Sequence, residues 1–287
     1  MATAGDQYAA WVGRRELTED DLCLAPALAA AAMLDDTTTP IDRGSCLPPL
    51  WHWFYFVPRV AQARLGADGH PERGGFMPPI PFPRRMFAGA RLRFHRPLII
   101  GRSATRESEI RAVSVKVGRS GPLAFVSVVH RFFQNGDLHL EEEQDIVYRE
   151  PGPAVPRPRV AGWSPPASGM RTRLVTPDPR LLFRFSALTF NAHRIHYDRP
   201  YAMAEEGYPG LVVHGPLTAL LLCEFARAEA ERPIGEFSFR ALAPLFDLAP
   251  FRLLCSPEEG GLALEAQGPD GSEAMRASAR FSTPQTG

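Results

Sequence analysis

Lysine is nearly missing: Lys116 is the one lysine among 287 residues, and the other 31 basic residues are arginine. This points to GC-rich coding rather than to a function, and the same bias accounts for the 29 prolines. There is no excess of charge, with 32 Lys+Arg against 32 Asp+Glu. That balance argues against general nucleic-acid binding, which needs a basic face to displace counterions. No run of about 18 uncharged apolar residues occurs, which excludes a transmembrane helix and gives no sign of membrane association. The stretch Met1–Trp11 lacks the basic start and apolar run of a signal peptide. The four cysteines, Cys23, Cys46, Cys223 and Cys255, are scattered without paired spacing. Zinc ligation by them is not expected, a disulfide framework is not needed at this size, and a reducing cytoplasm is the default location. No glycine-rich phosphate loop follows a strand, so no nucleotide or redox cofactor is expected. What is present is core: 45% of residues are hydrophobic and 22% charged, enough for one large domain or two ordinary ones.

The first helix signal covers Thr18–Asp35, where Thr18 with Asp21 resembles a capping box before an Ala/Leu/Met run. A Pro- and Gly-rich stretch, Thr37–Arg85, also carries Trp51, Trp53, Phe54, Tyr55 and Phe56. So aromatic a loop either packs over a core or lines a pocket, with core the first reading for Trp51–Phe56. β texture follows at Arg91–Ile100, Glu107–Gly118, Leu123–Gln134 and Leu138–Arg149, and Asn135-Gly136 is the hairpin signal joining the last two. Six prolines within Pro151–Gly169 forbid a continuous element and predict an extended linker at a domain boundary. The second half repeats the plan. Strands are expected at Arg171–Val175 and Leu182–Thr189, then a polar loop, Phe190–Tyr201. A helix at Pro216–Arg232 has Gly215 before it and proline at its first position. Strands at Glu236–Ala243, Pro250–Cys255, Leu262–Gln267 and Glu273–Ser282 close the chain, with Pro269-Asp270-Gly271 as the last turn. The result is an α+β plan used twice, at residues 1–150 and 170–287, joined by residues 151–169.

Three of the eight histidines crowd together, in Phe190-Asn191-Ala192-His193-Arg194-Ile195-His196-Tyr197-Asp198 and in Val213-His214-Gly215-Pro216. Imidazole passes protons near neutral pH. A helix start offers free backbone N–H groups to developing negative charge. An acid/base beside such donors is what proton transfer next to a thioester carbonyl requires. Blander readings stand beside this one. His193 is equally well a residue that braces the loop. His214 reads first as a helix cap. His193-x-x-His196 is a two-ligand metal pattern without an evident third ligand, so no metal site is expected.

This second half resembles the MaoC-like hot-dog hydratases and dehydratases, whose motif runs Asp-x-Asn-Pro-x-His ahead of a glycine-containing helix start. Asn191 falls at the Asp position, His193 at the Asn position, His196 at the His position, and Gly215 where the oxyanion N–H is supplied. The acid is therefore an amide here, and Arg194 replaces proline. The altered motif resembles the branch that contains mesaconyl-C4-CoA hydratase, itaconyl-CoA hydratase and the mitochondrial hydroxyacyl-thioester dehydratase type 2. In the first half, Leu47-Pro-Pro-Leu-Trp-His-Trp, Asp68-Gly-His-Pro, Gly74-Gly-Phe-Met-Pro-Pro and Arg84-Arg-Met-Phe-Ala-Gly look like its N-terminal domain.

The resemblance implies a double hot-dog fold, each antiparallel sheet wrapped around one helix, with the catalytic motif in residues 170–287. It implies reversible addition of water to an enoyl-CoA thioester, the CoA arriving as part of the substrate and no separate cofactor being needed. His196 is expected as the general base, Asn191 as the water holder, His193 as helper, and the Gly215 N–H as oxyanion donor. A dicarboxylic acyl group calls for an arginine, for which Arg84, Arg85 and Arg194 are candidates, with His214 also kept as a substrate-facing residue. A 3-hydroxyacyl-thioester dehydratase of fatty-acid type, a hot-dog thioesterase and a non-catalytic acyl-thioester binder remain alternatives, and a homo-oligomer remains open.

Overall fold

The computed structural model describes residues 6–118 and 121–282. The first five residues of the stretch read for a leader, and the last five of the chain, lie outside them. The chain forms β1 (Arg15–Asp20), α1 (Leu24–Leu34), β2 (Arg84–Phe94), β3 (Ala104–Gly118), β4 (Gly121–Gln134) and β5 (Asp137–Arg149). After the proline-rich segment come β6 (Arg171–Val175), α2 (Pro179–Leu188), α3 (Arg199–Ala204), α4 (Gly215–Glu229), β7 (Ile234–Ala241), β8 (Phe251–Glu258), β9 (Gly261–Gln267) and β10 (Glu273–Phe281). All ten strands join one antiparallel sheet, in the order β1-β3-β4-β5-β2-β7-β10-β9-β8-β6. The strands before residue 150 thus occupy one side of it and those after 170 the other. They meet where Gly89–Arg93 of β2 pair with Arg240–Glu236 of β7.

Local chemistry explains much of this. Asn135 and Gly136 take positive φ of 53° and 84°, the two-residue turn that matches strand twist. α4 begins at Gly215 with Pro216 in its first turn, as its sequence indicates. It packs against β7, β8, β9 and β10, the helix-in-sheet arrangement of a hot-dog half. The first half is different. α1 packs on α2 and on a 3-10 turn at Trp51–Phe54, and the aromatic residues of that turn join the same core as Leu92, Phe132 and Leu140 of its sheet. Trp51, Phe54, Tyr55 and Phe56 are buried, so the core reading of this run is right. Trp53, Tyr55 and Phe56 also border the cavity described below. The Trp51 indole N–H donates to Glu224 of α4 at 2.7 Å, tying the aromatic turn to the other half's helix.

One core unites the halves: Trp51, Phe54, Leu92, Phe132 and Leu140 cluster with Leu217, Leu220, Phe237 and Phe251. Burying one such side chain contributes about 1.5–3 kcal/mol. The ion pair across the seam, Arg93–Glu236 at 2.9 Å, is more than half exposed on both sides and is of a kind that contributes about 0–1 kcal/mol. The join is held by the β2–β7 ladder and by apolar packing.

Several sequence expectations need correction. Thr18 does not open a helix: Arg15–Asp20 is a strand pairing with β3, and the helix starts at Leu24 after Cys23, with no side-chain cap. Leu182–Thr189 is not a strand. Asp178 accepts from the Leu181 N–H at 2.9 Å and Pro179 sits in the first turn, so the segment begins as a helix, burying Leu182, Phe185 and Ser186 on one face. The strand expected from Arg91 starts at Arg84 and ends at Phe94. The loop Phe190–Tyr201 holds a 3-10 turn and the first residues of α3.

Candidate active site

The histidine loop is wound tightly after α2. The Asn191 N–H donates to Ser186 O at 2.8 Å, and the Asn191 side-chain oxygen accepts the His193 N–H at 3.0 Å. One lone pair of that oxygen is taken by its own turn, while both donors of the amide –NH2 have no partner among the described residues. Arg194–His196 then form one 3-10 turn, and Asp198 caps α3 by accepting the Tyr201 N–H at 3.1 Å. Beneath the loop, Ile195, Ala202, Val212 and Phe246 form a small apolar cluster. The Val212 N–H donates to Ile195 O at 3.0 Å.

The His196 ring nitrogen Nδ1 lies 2.7 Å from the Val212 carbonyl oxygen, which only accepts. Nδ1 must therefore carry the proton, leaving Nε2 with a free lone pair. The ring stacks on that of His214, centroids 3.6 Å apart at 18°, directly before the first residue of α4. The helix leaves the N–H groups of its first turn without intrahelical acceptors, Gly215 among them. His214 makes no side-chain cap. Its Nε2 meets the Ser186 hydroxyl at 2.8 Å, and its Nδ1 is buried without a partner among the described residues. It braces His196 from behind. His193 stands edge-on to His196, centroids 5.3 Å apart.

These residues line a cavity of about 1740 Å³, ample for an extended thioester ligand. His193, His196, Asn191, His214 and Gly215 all border it, as do Arg84 and Arg85, whereas Arg194 does not. The Arg194 fork is held by Asp198 at 2.8 and 3.0 Å and by Ala67 O at 3.0 Å, with its guanidinium over the Tyr201 ring. Three of its five N–H donors join loops, and the side chain stands outside the cavity lining, so the structure does not bring it together with the other expected substrate ligands. Arg84 is engaged in part, its Nη2 donating to Glu206 O at 2.6 Å and its Nε lying 3.3 Å from the Glu206 carboxylate, while Nη1 is buried without a partner among the described residues. Arg85, paired with Tyr148 in the β2–β5 ladder, is half-buried, and its side chain has no ion pair or hydrogen bond among the described residues.

Sequence reasoning did not place two further groups here. Asp68 and His70 come from the first half, yet both border the cavity. His70 Nδ1 lies 3.0 Å from Asp68 Oδ2, and its ring centroid is 4.0 Å from that of His193. The contact is backbone-deep. The Arg194 N–H donates to Asp68 O at 2.9 Å, and a Cβ on Gly69 would fall 1.8 Å from Ala192 O. With φ at +89°, only glycine fits there. Their one signal was the Asp68-Gly-His-Pro string, which carries no spacing rule linking it to residue 193.

Burial is the main influence on the imidazoles. It lowers His196 to about 4, with the Val212 hydrogen bond opposing, and lowers His193 to about 2, helped by His70 and His196. His214 is likewise held well below its usual value by burial. All three are neutral at pH 7, able to accept a proton. Burial alone would raise the Asp68 carboxyl, but hydrogen bonds from the His70 ring and backbone, with its charge, hold it at about 2. Donor atoms of Asp68, His70 and His193 lie within 4.8 Å of one another. A carboxylate thus stands beside His193 that the His-x-x-His spacing did not reveal, but it groups with His70 rather than with His196.

The description hydroxyacyl-thioester dehydratase type 2 matches residues 50–247. A Chloroflexus aurantiacus protein described as mesaconyl-C(4)-CoA hydratase is 64% identical over 270 residues, covering 94% of this chain and 96% of that one. The mitochondrial hydroxyacyl-thioester dehydratase type 2 of Schizosaccharomyces pombe is 29% identical over 246 residues, 76% of this chain and 80% of that one. Among solved structures, a Mycobacterium tuberculosis protein with a double hot-dog fold superposes with a TM-score of 0.58 at 14% identity, covering 94% of this chain and 96% of that one. The structural likeness establishes the double hot-dog architecture. The sequence match runs through both halves, from the aromatic turn of the first to the histidine loop and α4 of the second, and by it the chain belongs to the hydroxyacyl-thioester dehydratase type 2 family.

Proposed function

We propose that the protein is a hydro-lyase that adds water reversibly to the double bond of a short dicarboxylic enoyl-CoA, of the mesaconyl-C4 type. The observation that carries this is the 64% identity along nearly the full length of both chains to the C. aurantiacus hydratase. The site chemistry supports it. The thioester oxygen lies at the Gly215 N–H and the start of α4, where donors and dipole stabilise the enolate-like transition state, a contribution of about 2.7–4 kcal/mol for one such donor. His196 Nε2 takes a proton from water as the water oxygen bonds to the β-carbon. The double-bond electrons move toward the thioester, and His196 returns the proton to the α-carbon. Asn191 donates its –NH2 to the water oxygen, His193 helps to hold the water, and His214 keeps the His196 ring in place.

In a mesaconyl C4 thioester, the carbon attacked by water carries the free carboxylate. Its cationic partner therefore belongs next to the imidazoles. Of the three arginines considered, Arg85 fits. It borders the cavity, its charge acts on both His70 and His193, and its donors are unspent among the described residues. The charge of Arg84 is already paired with Glu206, although its Nη1 has no partner among the described residues. The reaction uses no cofactor beyond the CoA of its substrate, and a cytoplasmic location suits a CoA-dependent step. Among the described residues no helix is long and apolar enough to cross a membrane.

Mesaconyl-C4-CoA, itaconyl-CoA and crotonyl-CoA compared side by side, by loss of enone absorbance and by thiol release, test this reading. Hydration of the mesaconyl thioester above crotonyl-CoA is expected. Activity on crotonyl-CoA alone would assign the fatty-acid type reaction, thiol release a thioesterase, and binding without absorbance change a non-catalytic role.

A further inference from the structure

The family's carboxylate is missing at Asn191, and what stands there is an uncharged amide oxygen that already accepts the His193 N–H and cannot take up a proton. A water presented to His196 needs a second acceptor to fix its orientation. One is at hand from the other half of the molecule. Asp68 accepts from both the His70 backbone N–H and ring Nδ1, each at 3.0 Å. The carboxylate only accepts, so the His70 proton sits on Nδ1 and Nε2 is left as an acceptor. The ring borders the cavity and lies 4.0 Å from His193, against 5.3 Å between His193 and His196. The Gly69–Ala192 approach and the Asp68–Arg194 backbone bond fix this placement.

We propose that His70, oriented by Asp68, is a further catalytic residue of this site: its Nε2 accepts the second hydrogen of the attacking water, filling in space the role that Asn191 does not. Asp68 is then a positioning residue. The inference rests on the hydratase reading above. In the addition step one water O–H breaks onto His196 Nε2 and the water oxygen bonds to the β-carbon. The other O–H stays intact, hydrogen-bonded to His70, and the proton on His196 passes to the α-carbon. Two acceptors on one water explain why an Asp-to-Asn exchange need not abolish the chemistry. The groups facing His70 are Asp68 from its own loop, Arg73 just beyond it, Arg85 from β2 and His193 from the catalytic loop. Asp68 favours the imidazolium, while burial and the two arginines oppose it, so His70 stays neutral at working pH and loses its acceptor only on acidification.

The test uses the full chain and the dicarboxylic thioester on which the wild type is active. His70→Ala is expected to lower kcat by about 100-fold, with KM within about threefold, and added imidazole is expected to restore part of the rate. Asp68→Asn removes the charge that favours the imidazolium, so the acid limb of its kcat profile is expected to move to lower pH, while kcat at neutral pH falls. His70→Phe, which keeps a ring but has no acceptor, covers the case in which the alanine variant folds poorly. Unchanged kcat in folded His70→Phe together with an unmoved acid limb in Asp68→Asn would overturn the inference. So would wild-type activity that is lost to a chelator and restored by a divalent cation, which would make Asp68, His70 and His193 a metal site. Failure of the wild type to hydrate any enoyl thioester would instead defeat the hydratase reading, so the two failures are distinguishable.

Discussion

Two imidazole–carboxylate pairs border the same cavity, and they are built to opposite ends. In the first half, Glu142 is fully buried and accepts from His52 Nε2 at 2.9 Å, Trp53 Nε1 at 3.0 Å and Gln144 Nε2 at 2.9 Å. Three side-chain donors thus converge on the carboxylate, from the aromatic turn and from its own strand. Burial would raise its pKa, yet these hydrogen bonds and the nearby charges of His52 and His130 hold it at about 2. The other pair, Asp68–His70, is about a fifth to a quarter exposed, holds one imidazole nitrogen and leaves the other unspent. The same chemical partners lock a fold in one place and keep a lone pair in reserve in the other. The number of donors converging on the carboxylate separates the two.

That contrast breaks if mutations at the two pairs have the same kind of effect. His196→Ala sets the scale for the reacting end, with an expected loss of kcat of about 100- to 10,000-fold that exceeds what the loss of the buried ring and of its bond to the Val212 carbonyl does to thermal unfolding. Glu142→Gln is expected to do the reverse. It leaves His52 and Trp53 facing a neutral amide and lowers unfolding free energy by about 3 kcal/mol, read from the urea midpoint, with a far smaller effect on kcat. A large rate loss without destabilisation would mean that Glu142 serves the chemistry.

Acid should expose the shared cost of burying imidazoles. His130 is lowered from 6.5 to about 4 by burial, partly opposed by Glu142, and His196 is also lowered to about 4. Between pH 6.5 and 4 the unfolded chain binds more protons at these sites than the folded one, so stability falls as pH drops through that window. Glu142, lowered from 4.5 to about 2, adds a second loss between those values. Urea midpoints at pH 7, 5.5 and 4.5 should decline in that order, and a flat profile would contradict the burial of these rings. The smallest contrast lies among the arginines. Arg85→Met should raise KM for the dicarboxylic thioester by about tenfold or more and leave crotonyl-CoA unaffected. Arg194→Met should raise neither in that selective way, because its fork serves Asp198 and Ala67.

The sequence carried most of what local rules govern. Asn135-Gly136 fixed a hairpin, Gly215-Pro216 fixed the start of α4, and the crowding of His193, His196 and His214 located the cavity. Leu182–Thr189 was misread because its apolar run resembles a strand, while the deciding signal, Asp178-Pro179, lies just ahead of it. Thr18–Asp21 offered a cap-like spacing that the pairing of β1 with β3 overrode. The roles of Arg84, Arg85 and Arg194 were not legible, because an arginine's availability depends on whether a carboxylate from elsewhere has claimed it. Asp68 and His70 were hidden for a related reason. More than 120 residues separate them from the loop they meet, and nothing local marks the meeting.

Gly69 gives that meeting a lasting consequence. With its backbone pressed against Ala192, any side chain at this position would push the first-half loop away from the histidine loop. The cavity is walled by both halves at once, and the closeness of its two faces depends on a position that carries no side chain.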